Sequence, residues 1–516
     1  MAIRIRGGRM SKGSRLTAEK IHARLRHPVI DADGHWIEFG PLVREEMRRI
    51  GGDLALEGFT FFAALSEKNL LMTPAERLQR RVTMGPWFTQ PAKNTRDRAT
   101  AMMPRLMHER MDEFGLDFSV LYPSSGIATA RIPDDSLRAH TCRTFNTFSA
   151  EYFAPYADRL TPAAMIPMAT PEEAIAELEY AVKTLGLKVA CLGSLIPRRV
   201  GGEGPNPSHP DLRDSSAGGV WYDMLGIDSA HDYDPVWKKC VELGVSPTFH
   251  TGTRGIGTRS SPTNFVYNHI GHFAAACEAV CKGLYIGGVT RRFPSLKFGF
   301  LEGGVGYACQ LLADINGHWE KRNARSLAEN NPKNVKRREL VALARHYGDP
   351  RIAQALAEPD AVYDTVTTIK GAFLTSGNRD LDDFAACRIK SREDVNALFV
   401  DNFYFGCEAD DPMNAWAFSR RHNPGGARVR ALFGSDVGHF DVQEMAGVLP
   451  EAYELVEHGL ITDADFRDFM FTNPVTFYGE ANPRFFEGTR VEKQASALLK
   501  AQAASAARKG KPSRRG

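Results

Sequence analysis

The chain has 516 residues, 43% of them hydrophobic and 25% charged, which excludes a disordered or collagen-like polymer. No window of about 18 residues is apolar and free of charge, since Glu278 and Lys282 interrupt the most apolar stretch, so no membrane partner is expected. The net charge of +3 is uneven: residues 1–27 hold eight Lys or Arg and one Glu, and residues 496–516 hold six Lys or Arg and no acid, leaving an acidic body between two basic tails.

Short apolar runs that end in polar or glycine residues recur along the chain, and each reads as a strand. They cover residues 28–35, 118–124, 160–167, 188–193, 245–250, 296–302, 403–407 and 430–436. Amphipathic helices lie between them. The clearest is 171–186, with Thr170 as N-cap, Pro171 at the first helical position and Gly186 at the end. Residues 234–244 repeat that design. Alternating strands and helices predict a parallel sheet, and eight such units predict an α/β fold of the closed (β/α)8 TIM-like barrel type. A doubly wound open sheet is the alternative. Three intervals are too long for one loop and one helix: 40–115, 195–233 and 310–400. They are expected to be loop insertions forming a lid. The barrel is expected to span 28–490, between basic tails 1–27 and 491–516. Those tails read as solvated. They carry no interleaved aromatics that would stack bases, so no nucleic acid is expected.

The N-terminus lacks the apolar core of a secretory signal. The eight cysteines are scattered without a Cys-x-x-Cys pair, and they read as reduced, buried thiols of a cytoplasmic protein.

Metal-ligand residue types gather at the predicted strand ends. Asp33 and His35 are two apart at the end of the first strand, so their side chains share a face. His250 ends the fifth strand and Asp436 the eighth. Barrel strands deliver their C-terminal residues to one mouth. Imidazoles and carboxylates together suit zinc, manganese or iron.

The motifs Val29-Ile-Asp-Ala-Asp-Gly-His35, Phe249-His-Thr-Gly252, Phe300-Leu-Glu-Gly-Gly304 and Phe433-Gly-Ser-Asp436 occur in that order. With Arg110-Met-Asp-Glu-Phe-Gly-Leu-Asp117 they resemble the amidohydrolase-related family of metal-dependent hydrolases and aminocarboxymuconate-semialdehyde-type decarboxylases. The resemblance covers about residues 28–480 and implies Asp33, His35, His250 and Asp436 as metal ligands. Asp436 would also accept a proton from the attacking water. Many relatives carry a histidine where this chain has Glu302. That departure makes Glu302 a candidate metal bridge or general base, with a structural carboxylate as its other reading. His272 falls where relatives line the pocket with histidine, and is expected to act as acid, base or second-metal ligand. If residues 268–276 are helical, His269 shares its face. His439, three residues after Asp436, would orient that carboxylate or reach the metal. Arg254 is a candidate for a substrate carboxylate.

These residues lead to a metal-dependent hydrolase acting on a small-molecule amide, ester or related carbonyl. The expected cofactor is a divalent cation, zinc first, with manganese or iron as alternatives and one or two ions. Nonoxidative decarboxylation of an aromatic acid, a dinuclear iron or iron–manganese oxygenase, and a noncatalytic subunit are the competing readings. A homo-oligomer is expected.

Overall fold

The computed structural model describes residues 16–85, 93–199, 220–329, 331–365, 382–439 and 441–509. Eight strands make the barrel: β1 (Ile30–Trp36), β2 (Phe118–Pro123), β3 (Leu160–Ile166), β4 (Val189–Leu192), β7 (Pro247–Phe249), β8 (Phe298–Phe300), β9 (Phe403–Glu408) and β10 (Arg430–Gly434). They lie in that order and every recorded pairing among them is parallel. Each falls within one residue of an apolar run seen in the sequence. The first and last strands meet at the mouth through backbone bonds. The Asp436 amide donates to the Asp33 carbonyl (3.1 Å) and the His35 amide to the Val437 carbonyl (3.2 Å). A nearly closed (β/α)8 barrel results.

Apart from the half-buried strand-end residues Glu408 and Arg430, the strands are buried along their whole length because helices cover the outside and side chains fill the inside. Trp237, from the helix Asp234–Leu243, packs edge-on against Phe298 at 5.5 Å. Phe249 and Phe300 of adjacent strands stack at 5.6 Å. Gly299 is required where it stands, since a Cβ there would lie 2.8 Å from the ring of Phe477.

The helix Pro171–Glu179 starts as the sequence predicts. Thr170 accepts from the Glu173 amide, Glu173 reaches back, and Pro171 occupies the first turn. A π-helical turn, Tyr180–Thr184, then extends it toward left-handed Gly186. The long interval after β1 is helical, dominated by Gly40–Leu70 with a kink at left-handed Gly52. The interval after β4 holds an antiparallel hairpin, β5 (Ile196–Arg199) and β6 (Val220–Asp223), which the sequence did not suggest. Its glycine-rich middle, 200–219, lies outside the described residues. All eight cysteines are free and buried. Among the described residues no helix is long and apolar enough to cross a membrane.

The chain ends are less free than their charge suggests. In the N-terminal segment, Ala18–His22 is a helix with Ala18 and Ile21 buried, and His22 Nε2 lies 2.7 Å from Asp117 Oδ2. At the other end, Glu492–Lys509 is a helix. It buries Val491 and Ala495, packs Leu499 over Gly479, and donates from Gln502 to the Thr476 hydroxyl (2.8 Å). Its basic residues sit on a docked element because its alanines and leucines supply an apolar face. Residues 1–15 and 510–516 lie outside the described set. Truncation after Arg490 is therefore expected to destabilise the fold by roughly 2–4 kcal/mol, from the apolar area lost. Denaturant unfolding of the truncated chain measures this, and an unchanged midpoint would show that the docked face contributes nothing.

Candidate metal centre and the cavity beside it

The centre begins with β1. A bulge between Asp31 and Gly34 resets the strand's alternation. Asp31 lies on the side toward which Gly34 would project, where a Cβ would come 2.4 Å from Asp31 Oδ2. Asp33 and His35 share the opposite side, with His35 Nε2 3.8 Å from Asp33 Oδ1.

Asp31 holds this end of the barrel together. It accepts from Ser119 Oγ of β2 (2.6 Å), from Ser435 Oγ (2.7 Å) and the Ser435 amide (2.9 Å) after β10, and from the Asp33 amide (3.2 Å). A fully buried carboxylate needs such a set of donors. Sequence reading passed over Asp31. The Asp-x-Asp-x-His spacing was a signal for it, but only the fold reveals the two serines it joins.

Glu302 and Asp436 each stand two residues beyond a strand and take left-handed backbone conformations, with φ of 56° and 50°. For a residue with a Cβ this costs roughly 1–3 kcal/mol, and such strain collects at functional sites. The turn after β8 is thus made by Glu302 itself as well as by Gly304, whose φ is 69°.

From these positions the candidate side chains converge. His35 Nε2 lies 3.3 Å from Asp436 Oδ1, 3.3 Å from His250 Nε2 and 3.8 Å from Glu302 Oε2. His250 Nε2 lies 3.0 Å from Glu302 Oε2 and 3.6 Å from Asp33 Oδ1. His439 stacks on His35 with ring centroids 3.8 Å apart. It places Nδ1 2.6 Å from Asp436 Oδ1 and Nε2 3.1 Å from the Ser124 hydroxyl. Two overlapping ligand groups result, Asp33–His35–His250 and His35–Glu302–Asp436–His439, with the ligand atoms of each within 4.8 Å of one another.

The donor set fits a divalent cation. Asp33 Oδ1 and Glu302 Oε2 are buried and make no hydrogen bond. Three carboxylates buried together without a cation hold protons instead. Burial pushes the Asp33 carboxyl up to about 8, against the pull of His250 and with repulsion from Glu302 and Asp31 added. Burial likewise drives Glu302 and Asp436 far above the usual carboxylate range, with Asp441 adding to both shifts and Glu302 adding to that of Asp436. Burial lowers His35, His250 and His439, the last to about 4, so their rings stay neutral as metal binding requires. A bound cation would reverse the sign for the carboxylates.

His272 and His269 lie outside this convergence. They do not share one helix: Phe265–His269 ends, Gly271 turns left-handed at φ 68°, and a new helix, His272–Ile286, begins. The break still brings their rings within 4.7 Å. His272 leans over the end of β7 because position 252 is glycine, where a Cβ would fall 2.0 Å from His272 Nδ1. Burial pushes His272 down to about 3, with His269 and Arg254 adding repulsion, so it stays neutral near pH 7 and suits hydrogen-bond acceptance better than proton donation. Arg254 stands close enough to Glu302 to oppose its upward shift.

Both histidines line a cavity of about 330 Å³ that opens on the cluster through Glu302. Its other polar walls are Glu408, Asp411 and Asp441, none of which the sequence had pointed to. Glu408 ends the seventh barrel strand, so its position was a signal, but its distance from any histidine motif concealed it. Burial pushes Glu408 up to about 8, with Asp441 and Glu302 adding repulsion.

The sequence profile described as "Amidohydrolase" matches residues 30–352, well over half of the chain. The chain belongs to the amidohydrolase family. The matched stretch holds Asp33, His35, His250 and Glu302, whereas Asp436 and His439 lie beyond it. Solved structures similar to the chain include an amidohydrolase from Mycobacterium avium subsp. paratuberculosis K-10. It is 16% identical, with 88% of this chain and 100% of that one covered and a TM-score of 0.48. A dihydroxybenzoic acid decarboxylase from Polaromonas sp. JS666, solved with manganese and 2-nitroresorcinol, is 16% identical over 88% of this chain and 97% of its own, with a TM-score of 0.45. The 5-carboxyvanillate decarboxylase of Sphingomonas paucimobilis is 12% identical over 87% and 98%, also at 0.45. No curated protein matches the sequence.

Proposed function

We propose that this amidohydrolase-family chain is a metal-dependent hydrolase that cleaves an amide, ester or related carbonyl bond in a small molecule. The observation that carries this reading is the Asp436–His439 pair, 2.6 Å apart, set against the ring nitrogens of His35 and His250. Asp33, His35, His250 and Asp436 would hold a divalent cation, with Glu302 completing the set. Zinc suits the imidazoles, and the carboxylates extend the choice to manganese or iron. When bound, such a cation supplies Lewis-acid activation of water and of the scissile carbonyl. Asp436 takes the proton of the attacking water and returns it to the departing atom. His439, held between Asp436 and the Ser124 hydroxyl, fixes the orientation of that carboxylate. Neutral His272 accepts a hydrogen bond from substrate in the cavity.

Decarboxylation of an aromatic acid is the second reading. Arg254 favours it, because a cation near Glu302 is a partner for a substrate carboxylate. One experiment separates the two. The metal-loaded protein is assayed against a panel of amides, esters and lactones and against hydroxybenzoates, following acid release in the first set and carbon dioxide in the second. Metal-dependent hydrolysis that Asp436→Asn abolishes supports the proposal. Carbon dioxide release without hydrolysis transfers the site to the second reading. A chain that binds no divalent metal sinks both.

A further inference from the structure

The cavity beside the candidate metal ligands has a charge character that those ligands alone do not account for. Glu302, Glu408, Asp411 and Asp441 all line it, and among the described residues none forms a salt bridge with Lys or Arg. Asp411 is held in place: its Oδ1 accepts from the Met413 amide at 2.8 Å. Its Oδ2 lies 3.2 Å from the point where a Cβ on Gly304 would sit, so the glycine makes room for the carboxylate.

A second, independent feature points to a ligand. His272 is 4% exposed and lines the same cavity, and neither of its ring nitrogens has a hydrogen-bond partner. Buried polar atoms of this kind are almost always satisfied, and a neutral imidazole has one accepting and one donating nitrogen, so a group that enters the cavity is the natural donor to the accepting one.

The unmet need is for positive charge and N–H donors together: burial and repulsion from its acidic neighbours push the Glu408 carboxyl up to about 8, and a cation entering beside it favours the carboxylate form. A second metal ion does not answer it. Glu408, Asp411 and Asp441 belong to neither group of converging ligand atoms, so they ring the cavity without meeting at a point. The volume of about 330 Å³ is that of a small organic group.

We propose that this cavity is a subsite for a positively charged nitrogen of the substrate, an ammonium or guanidinium, held by Glu408 and Asp411 with His272 accepting one of its N–H bonds. The subsite deepens the hydrolytic reading and rests on it: the cation anchors one end of the substrate while Glu302, shared by cavity and cluster, marks where the carbonyl arrives. A substrate carboxylate held between Glu408 and Asp411 would meet like charge, since Arg254, the cation that acts on Glu302, does not line this wall. Salt weakens such a contact less here than at an open surface, because the cavity is recessed.

The test uses the full-length protein with its metal content measured. Ligand-observed NMR follows titration with n-butylammonium, 1-butanol and butanoate, three probes of similar size and different charge. The ammonium is expected to bind about tenfold more tightly than the alcohol, a difference of about 1.4 kcal/mol. Glu408→Gln and Asp411→Asn, which keep size and leave the metal ligands in place, are each expected to weaken it several-fold while metal content stays the same. Butanoate binding as tight as the ammonium, no ammonium binding at millimolar concentration, or unchanged affinity in both variants would overturn the subsite. Ammonium binding in a protein that hydrolyses no carbonyl compound would remove the hydrolytic reading and leave the subsite standing.

Discussion

Purified His250→Ala is expected to lose most of its bound metal while keeping its fold. His250 Nε2 lies 3.3 Å from His35 Nε2 and 3.0 Å from Glu302 Oε2, so its loss opens one side of the donor set. An affinity loss of about a hundredfold corresponds to about 2.8 kcal/mol. His250 stands just past β7 at the barrel mouth, and its removal takes away no hydrogen bond of the strand ladder. The thermal transition of the variant should therefore match that of wild-type protein stripped by a chelator. Elemental analysis of the two proteins, purified side by side, measures the effect. Full metal content in the variant would exclude His250 as a major ligand.

Glu302→Gln is expected to act in opposite directions with and without metal. In the metal-free protein Glu302 is a buried carboxyl with an unpaired Oε2 beside two other carboxylates, so the neutral amide should be tolerated or should raise the melting temperature slightly. With metal, the variant lacks an anionic donor between His35 and His250. Its metal content should fall, and turnover of the proposed metal-dependent reaction should drop by roughly 10²-fold or more. A purely structural Glu302 gives the reverse pattern: a lower melting temperature in both states and an unchanged metal content. Melting curves recorded on chelated and metal-loaded samples of both proteins separate the two roles without requiring the natural substrate.

The difference between these variants reflects how each residue became visible. The placement of His250 and Asp33–His35 could be read from the sequence because a ligand-type residue at the end of an apolar run has a fixed address in a barrel. Glu302 was visible only as a departure from the family's pattern, and its role depends on what lies across the mouth. The contacts at 3.0 Å to His250 and 3.8 Å to His35 join residues 52 and 267 positions apart in the chain. The condition under which His269 and His272 would share a face, a single helix over 268–276, is not met, and the reason is local. A left-handed glycine at 271 outweighed the apolar periodicity on either side of it.

The eight strands and their parallel direction were legible in the sequence, since apolar runs alternating with amphipathic helices leave few other ways to bury both faces of a sheet, whereas their closure into a barrel rather than a doubly wound sheet was shown only by the fold. The sequence by itself also determined which strand ends carry imidazole and carboxylate. Tertiary structure alone decided the rest. Asp31 became the tie between β1, β2 and the end of β10 only once closure brought Ser119 and Ser435 to it. Glu408, Asp411 and Asp441 became one wall only when the seventh strand and the loop after the eighth faced the same cavity. The basic C-terminal segment became a docked helix because Ala495 and Leu499 found an apolar surface to cover. The physical reason is common to all three. Local pattern reports what one segment can bury, whereas hydrogen-bond partners and shared electrostatic fields arise between segments far apart in the chain.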